Sequence, residues 1–302
     1  MLASEIPYRQ PGVVHSDQAA GLRDLKHQRS VQIIAVTGGK GGVGKTNVSV
    51  NLALAMTGQG KQVMIMDADL GLANVDVMLG ICPRYNLSHV LSGERRLEEV
   101  VVTGPNGLKI VPSSSGIKGM AELTPAQHAV LIRAFSELSF NLDVLLVDTA
   151  AGISDSVMSA SPGSHGRLGV ICDEPASMTD AYALIKLLHR EHDIGRFRVL
   201  VNMVQSKQEG RRLYENLARV TDRYLFVELD YMGSVPYDKL LRKAVRQQNA
   251  VVEAYPDSSS SQQFKVLSRQ ADKWPVAESK GNVEFFIERL IQHSRTTTGE
   301  SI

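Results

Sequence analysis

The stretch Val31-Gln32-Ile33-Ile34-Ala35-Val36-Thr37-Gly38-Gly39-Lys40-Gly41-Gly42-Val43-Gly44-Lys45-Thr46 decides the fold of this chain. Val31 to Thr37 is a short apolar run that ends in glycines, the pattern of a buried strand. Gly39-x-x-x-x-Gly44-Lys45-Thr46 then has the full Walker A spacing. Beyond it, apolar residues recur at Val48, Leu52, Ala55 and Met56, which is one face at helical spacing. Strand, glycine-rich loop and helix, in that order, are the context this motif needs. Glycines let successive backbone N–H groups point into one concavity and bind phosphate oxygens. The expected phosphate loop is therefore Gly39, Lys40, Gly41, Gly42, Val43, Gly44, Lys45 and Thr46. Lys45 is placed to reach β- and γ-phosphates, and the Thr46 hydroxyl to bind Mg²⁺. The rival reading, a glycine-rich turn that matches by chance, is poor with strand and helix both in place. Lys40 has two readings. It is either a solvated loop charge or a cation supplied across a dimer interface to the partner's nucleotide, and residue types alone do not choose between them.

Further apolar runs end in acids. Val63-Met64-Ile65-Met66-Asp67 and Val144-Leu145-Leu146-Val147-Asp148 read as buried strands, with a third candidate at Leu108 to Pro112. Val170 to Cys172, Val199 to Asn202 and Tyr231 to Val235 read as later strands. Thr124-Pro125 opens a helix that runs to about Leu138, by capping residue and then proline. Helices are also expected near 177–190 and 207–221, and Ser258 to Ser261 reads as a turn or helix start. Strands alternating with helices imply an α/β fold, a doubly wound, mostly parallel sheet with helices on both faces. Ligands of such sheets sit at the carboxyl ends of the strands, where these acids and glycines cluster.

The bulk composition narrows the function classes. The 302 residues carry 33 basic and 32 acidic side chains, so no global field draws the chain to nucleic acid or membrane. Cys82 and Cys172 are far apart and form no Cys-x-x-Cys pair. Both read as small buried residues. The N-terminus lacks the basic start and apolar core of a signal peptide, and no apolar run has the length of a membrane span. A cytoplasmic protein is expected, or one bound to the inner face of the membrane from that side. The expected division is a flexible N-terminal extension at 1–30, a P-loop ATPase domain at 31–278, and an amphipathic helix with tail at 279–302.

Lys40-Gly41-Gly42-Val43-Gly44-Lys45-Thr46 resembles the deviant Walker A of the MinD/ParA ATPases, and the resemblance covers about residues 31–250. It implies ATP and Mg²⁺ as cofactors, and that Lys40 contacts nucleotide across an ATP-dependent homodimer. By the match of Asp67-Ala68-Asp69-Leu70-Gly71-Leu72-Ala73-Asn74, Asp69 orients or activates the attacking water and Asp67 supports the metal site. Asn74 falls in the segment that switches with nucleotide state. Asp148 matches the Walker B acid that holds Mg²⁺ through a water. Asn202 matches an adenine-reading asparagine, and Val235-Pro236-Tyr237-Asp238 the loop that closes over the base; a lone Asn or Pro after a strand is otherwise turn chemistry.

Within that family, the stretches Asp67 to Val77, Asp148 to Asp155, Cys172 to Lys186, Trp274-Pro275 and Glu284 to Leu290 resemble the flagellar-number regulators FlhG/FleN. Asp17-Gln18-Ala19-Ala20-Gly21-Leu22-Arg23 matches their DQAxxLR element. The resemblance implies that this element, through Gln18, Leu22 and Arg23, stimulates an SRP-type flagellar GTPase. It also implies that the chain restrains a flagellar enhancer-binding transcription activator. Helix 178–190 and Lys239, Arg242, Lys243 and Arg246 are the partner-contact candidates, although a solvated basic face is the commoner meaning of the latter. Val283, Phe286, Ile287, Leu290 and Ile291 share one helical face, which by analogy lies on a membrane surface. Glu284 and Glu288 spoil the usual basic profile of such helices, and docking on the protein's own core is the rival.

Three alternatives share the fold. A MinD-like division-site regulator is nearest in mechanism. A ParA-like DNA-partitioning ATPase needs a basic surface that a net charge of +1 does not promise, so no direct DNA binding is expected. An iron–sulfur carrier would need Cys82 and Cys172 where neither falls. One segment departs from the flagellar pattern. Ser159 to Gly169 carries proline and glycines where a continuing helix and a Val-rich strand are expected, as in a short stretch read in a shifted frame. A shortened helix and a frayed strand leading to Cys172 are the expected effects.

Overall fold

A computed structural model describes residues 31–68, 74–113, 124–149 and 166–274. Its eight strands are β1 (Gln32–Thr37), β2 (Val63–Asp67), β3 (Val102–Thr103), β4 (Lys109–Val111), β5 (Val144–Asp148), β6 (Gly166–Cys172), β7 (Arg196–Val204) and β8 (Glu228–Pro236). They form one sheet in the order β3-β4-β2-β5-β1-β6-β7-β8. Every pairing is parallel except that of the short edge strand β3 with β4. The expected doubly wound α/β sheet is thus present, with the strand of the glycine-rich loop near its centre.

Alternation along the strands divides the core into two layers. Ile33, Ala35, Met64, Met66, Leu145 and Val147 face one layer, and Ile34, Val36, Val63, Ile65, Val144 and Leu146 face the other. The first layer is covered by α3 (Leu87–Leu91), α4 (Leu97–Val100), α5 (Pro125–Ser136), α6 (Pro175–His192) and α7 (Lys207–Leu225). The second is covered by α1 (Lys45–Thr57), α2 (Val75–Met78), α8 (Lys239–Arg246), α9 (Val251–Ala254) and α10 (Ser259–Ala271). Fully burying one such aliphatic side chain stabilises by about 1.5–3 kcal/mol. A sheet apolar on both faces therefore requires both helical layers.

Helix α1 differs from its sequence reading. The spacing predicts one buried face, but Val48 to Met56 are all buried. The reason is α10, which lies over the outer side of α1. Gln32 Nε2 donates to the Ala271 carbonyl at 2.7 Å, and the Asn51 side-chain oxygen accepts from Val252 N at 3.2 Å. Ser258 caps α10 by accepting from Ser261 N, so the serine run is a helix start. Phe264 and Leu267 of α10 are buried.

Strand β6 corrects the expectation of fraying. It begins at Gly166, inside the departing segment, and pairs with both β1 and β7. Parallel pairing uses main-chain groups, which glycine supplies as well as valine does. Leu168 and Val170 still point into the core and are fully buried. Arg167 lies half-buried beside them, and burial pushes its guanidinium down to about 10. Residues 159–165 lie outside the described residues. Cys82 is a second correction: it is exposed, in the loop after α2, while Cys172 is buried.

Candidate functional site

Because the strands run parallel, their ends collect on one edge of the sheet. Val36 and Asp67 sit in register on either side of Asp148, so the two carboxylates are lateral neighbours. Asp67 and Asp148 are both almost wholly buried. On the other side of β1, Cys172 is in register with Asn202, and Val204 with Pro236. The glycine-rich loop lies between these two groups.

Gly42 and Gly44 hold φ of 84° and 91°, left-handed values that suit glycine. Gly44 is the N-cap of α1. No side chain caps that helix, and no acid lies in its first turn. Its positive end is thus left for an anion, and a charge of that sign is stabilised there. Lys45 is 8% exposed, and its Nζ donates to the Lys40 carbonyl at 3.4 Å, curling back over the loop. Thr46 follows on the first turn, half-buried.

The two aspartates do different work. Ser49, one turn below Thr46 on α1, donates its hydroxyl to Asp148 Oδ1 at 2.8 Å. Asp67 Oδ2 accepts the backbone N–H groups of Asn74 at 2.9 Å and Val75 at 3.2 Å. It therefore ties the first turn of α2 to the end of β2 and closes the connection between them. That connection contains Asp69, which lies outside the described residues. Mg²⁺ is a hard cation that takes a few protein oxygens and completes its shell with water and phosphate. The Thr46 hydroxyl and the Asp148 carboxylate beside an anion-binding loop fit it. The Asp67 oxygens add a second carboxylate at the same level.

Lys40 stands apart from Lys45. Its side chain is 40% exposed, and its Nζ pairs with Glu174 Oε2 at 2.5 Å. The hydrogen bond and the charge of Glu174 raise the Lys40 ammonium above its ordinary value, so it stays charged. Glu174 is the N-cap of α6. Behind this pair the loop meets α6 backbone to backbone. A Cβ at Gly39 would lie 2.3 Å from the Asp180 carbonyl carbon.

Asn202 is 6% exposed and turned onto the loop: Nδ2 donates to the Val43 carbonyl at 2.9 Å, and Oδ1 accepts from Met203 N. A Cβ at Gly44 would lie 2.4 Å from that amide nitrogen. In the loop after β8, Asp238 accepts from Leu240 N, Ser260 N and the Ser260 hydroxyl. It therefore joins the starts of α8 and α10.

The structure thus brings together Gly39 to Thr46, Asp67, Asp148, Asn202 and Pro236. Gln18, Leu22, Arg23, Phe286, Ile287, Leu290 and Ile291 lie outside the described residues, as Asp69 does. Sequence reasoning missed Ser49 and Glu174. Helical spacing of three residues from Thr46 would have pointed to Ser49. Nothing in the sequence pairs Glu174 with Lys40, since 134 residues separate them. Among the described residues no three His, Cys, Asp or Glu side chains converge to hold a metal, and no helix is long and apolar enough to cross a membrane.

A phosphate loop between a central parallel strand and a buried helix, with aspartates ending the two strands that follow on one side of it, β5 and β2, defines a P-loop nucleoside triphosphatase. The chain belongs to the ParA family: a family profile described as "NUBPL iron-transfer P-loop NTPase" matches residues 29–271. It is 56% identical to the antiactivator FleN of Pseudomonas aeruginosa over 276 residues, covering 91% of this chain and 99% of that protein. It is 32% identical to the flagellum site-determining protein YlxH of Helicobacter pylori, covering 90% and 96%. Among solved structures, the MinC:MinD cell division protein complex of Aquifex aeolicus matches with a TM-score of 0.63 at 27% identity, over 82% of this chain and 98% of that one. The expected membership of the MinD/ParA ATPases and the flagellar FlhG/FleN branch is therefore established.

Proposed function

We propose that this protein is a slow ATPase used as a dimerising switch in the control of flagellar number or placement. The observation that carries this reading is the division of labour between the two loop lysines. Lys45 is buried against its own loop, whereas Lys40 is exposed and paired with a surface carboxylate. A cation that serves its own chain's nucleotide has no need of that second position. One that serves a partner's nucleotide does, as an arginine finger supplied in trans does.

In the proposed cycle, ATP binds with its phosphates on the Gly39–Thr46 backbone and the positive end of α1. Thr46 and Asp148, with Asp67 in support, would hold Mg²⁺, which would supply charge neutralisation at the phosphates. Asn202 and Pro236 border the base. Lys40 leaves Glu174 and reaches the nucleotide of a second copy. Asp69 then orients the attacking water, and hydrolysis returns the monomer.

Similarity to FleN and YlxH supports placing the output in flagellar regulation. In this reading the dimer restrains a flagellar enhancer-binding activator. Helix α6 is the leading contact, because its backbone rests on Gly39 and feels the state of the loop. Gln18, Leu22 and Arg23 are proposed to stimulate an SRP-type flagellar GTPase, and Phe286, Ile287, Leu290 and Ile291 to meet membrane lipid from the cytoplasmic side.

The test sizes two variants with ATP and Mg²⁺. Lys40→Ala is expected to bind ATP and stay monomeric, and Asp69→Ala to bind ATP and accumulate as a dimer. A Lys40→Ala dimer as stable as the wild type overturns the switch.

A further inference from the structure

We propose that Ser49 is a positioning residue for the magnesium-binding aspartate. The inference rests on the magnesium–nucleotide reading above and assigns a role to a side chain outside the Walker motifs. Ser49 is wholly inaccessible to solvent, on the side of α1 that faces β5. Its hydroxyl donates to Asp148 Oδ1 at 2.8 Å, across 99 residues of sequence, and Asp148 is itself 1% exposed.

Three features make this bond more than packing. First, a hydroxyl donating to a buried carboxylate is a charge-assisted bond, stronger than a neutral one, and losing it leaves a buried acceptor short of a partner. Second, Ser49 lies three residues after Thr46, so the two hydroxyls share one helix face. The helix that carries the Mg²⁺-binding hydroxyl is thereby locked, one turn below, to the carboxylate that acts on the same ion. Third, Asp148 is the last residue of β5. Its backbone is paired with β1 and β2 on either side, and those pairings by themselves do not set its side-chain torsions. The Ser49 bond commits one carboxylate oxygen to the protein and narrows the orientations of the group before any ion arrives. Asp67 is held differently: its Oδ2 accepts from Asn74 N and Val75 N. Ser49 thus lowers the reorganisation that metal binding requires, without touching the ion.

The test uses the full chain and a fluorescent ATP analogue, titrated with Mg²⁺ and separately in EDTA. Ser49→Ala removes one oxygen at little change in volume. It is expected to raise the Mg²⁺ concentration for half-maximal binding by about tenfold, the size of one charge-assisted bond, with affinity in EDTA unchanged. Asp148→Asn is expected to cost more, and Ser49→Ala added to it to cost nothing further, because the two act as one unit. A Mg²⁺ dependence for Ser49→Ala within twofold of wild type overturns the proposal, as does a loss in EDTA equal to that in Mg²⁺, which marks a merely structural residue. If the wild type shows no Mg²⁺-dependent binding, the magnesium–nucleotide reading falls first and takes this proposal with it.

Discussion

The two flanks of the phosphate loop are built from opposite materials. On the β5 side, Lys45, Ser49, Asp67 and Asp148 are all buried, and Ser49 bonds Asp148 directly across the space between α1 and the sheet. On the β6 side, the contact between Lys40 and Glu174 is a surface ion pair, with side chains 40% and 54% exposed. Buried, hydrogen-bonded polar groups hold one arrangement, because breaking them leaves unsatisfied groups. Exposed ion pairs contribute about 0–1 kcal/mol and exchange partners readily. The buried flank suits a task that must be done the same way in every cycle, gripping phosphate and metal. The exposed flank suits a task that must be undone. One loop carries both lysines five residues apart, one buried and one in a surface ion pair, the difference on which the proposed division of roles rests.

The contrast breaks first at Gly39, where the exposed flank has one rigid point. The α6 backbone at Asp180 and Ala181 occupies the place a side chain would take, the nearest atom 2.3 Å from an added Cβ. No rotamer relieves such a clash, so Gly39→Ala must push α6 off the loop. We expect a loss of about 1–3 kcal/mol in stability, read by urea unfolding, together with loss of ATP-dependent dimers. If Gly39→Ala dimerises like wild type at full stability, α6 is not seated on the loop and cannot report its state.

The second prediction concerns what lies under that flank. Gly169 on β6 opens a cavity of about 20 Å³, lined also by Gly39, Ile171, Ala181 and Phe197. An added Cβ would meet only the Arg198 carbonyl, at 3.6 Å. Gly169→Ala is therefore expected to stabilise by about 0.4–1 kcal/mol through the unfolded chain alone, with any filling of the void in addition. The readout is the urea midpoint at unchanged slope. A destabilised Gly169→Ala means that the void is needed, and that the β6 side depends on slack beneath the loop.

Much of this architecture was legible in the sequence, and the illegible part has a physical pattern. Strands β1, β2 and β5 were readable because each is an apolar run with a sharp end, and the loop because its glycines and lysine have fixed spacing. The short edge strand β3, the one-turn helices α2 to α4 and the start of β6 were not. Two to five residues carry no periodicity, and β6 is held by main-chain pairing that ignores its glycines. The all-round burial of α1 was hidden because α10, which covers it, begins 202 residues after Thr57. At the site, motif residues were found by local spacing. Ser49 and Glu174 were missed because their roles come from partners 99 and 134 residues away.

The smallest expected effect bears most directly on the contrast. Glu174→Gln keeps the size and most of the hydrogen-bonding capacity of the N-cap residue but removes its charge. In the isolated chain Lys40 then loses the carboxylate that holds it and raises its basicity. If this pair is a restraint that dimerisation must break, removing its charge favours the dimer by only about two- to fivefold, the range of an exposed pair. The midpoint of dimer formation against ATP should move to lower concentration by that factor. The shift should shrink with added salt, because exposed pairs are screened within a Debye length of about 10 Å at 0.1 M. The same substitution should leave ATP affinity of the monomer unchanged, since in the proposed cycle Lys45 and not Lys40 grips its own phosphates. A dimer weakened by Glu174→Gln would reverse the assignment. Glu174 would then be a support that presents Lys40 to the partner, and the exposed flank would be as preorganised as the buried one.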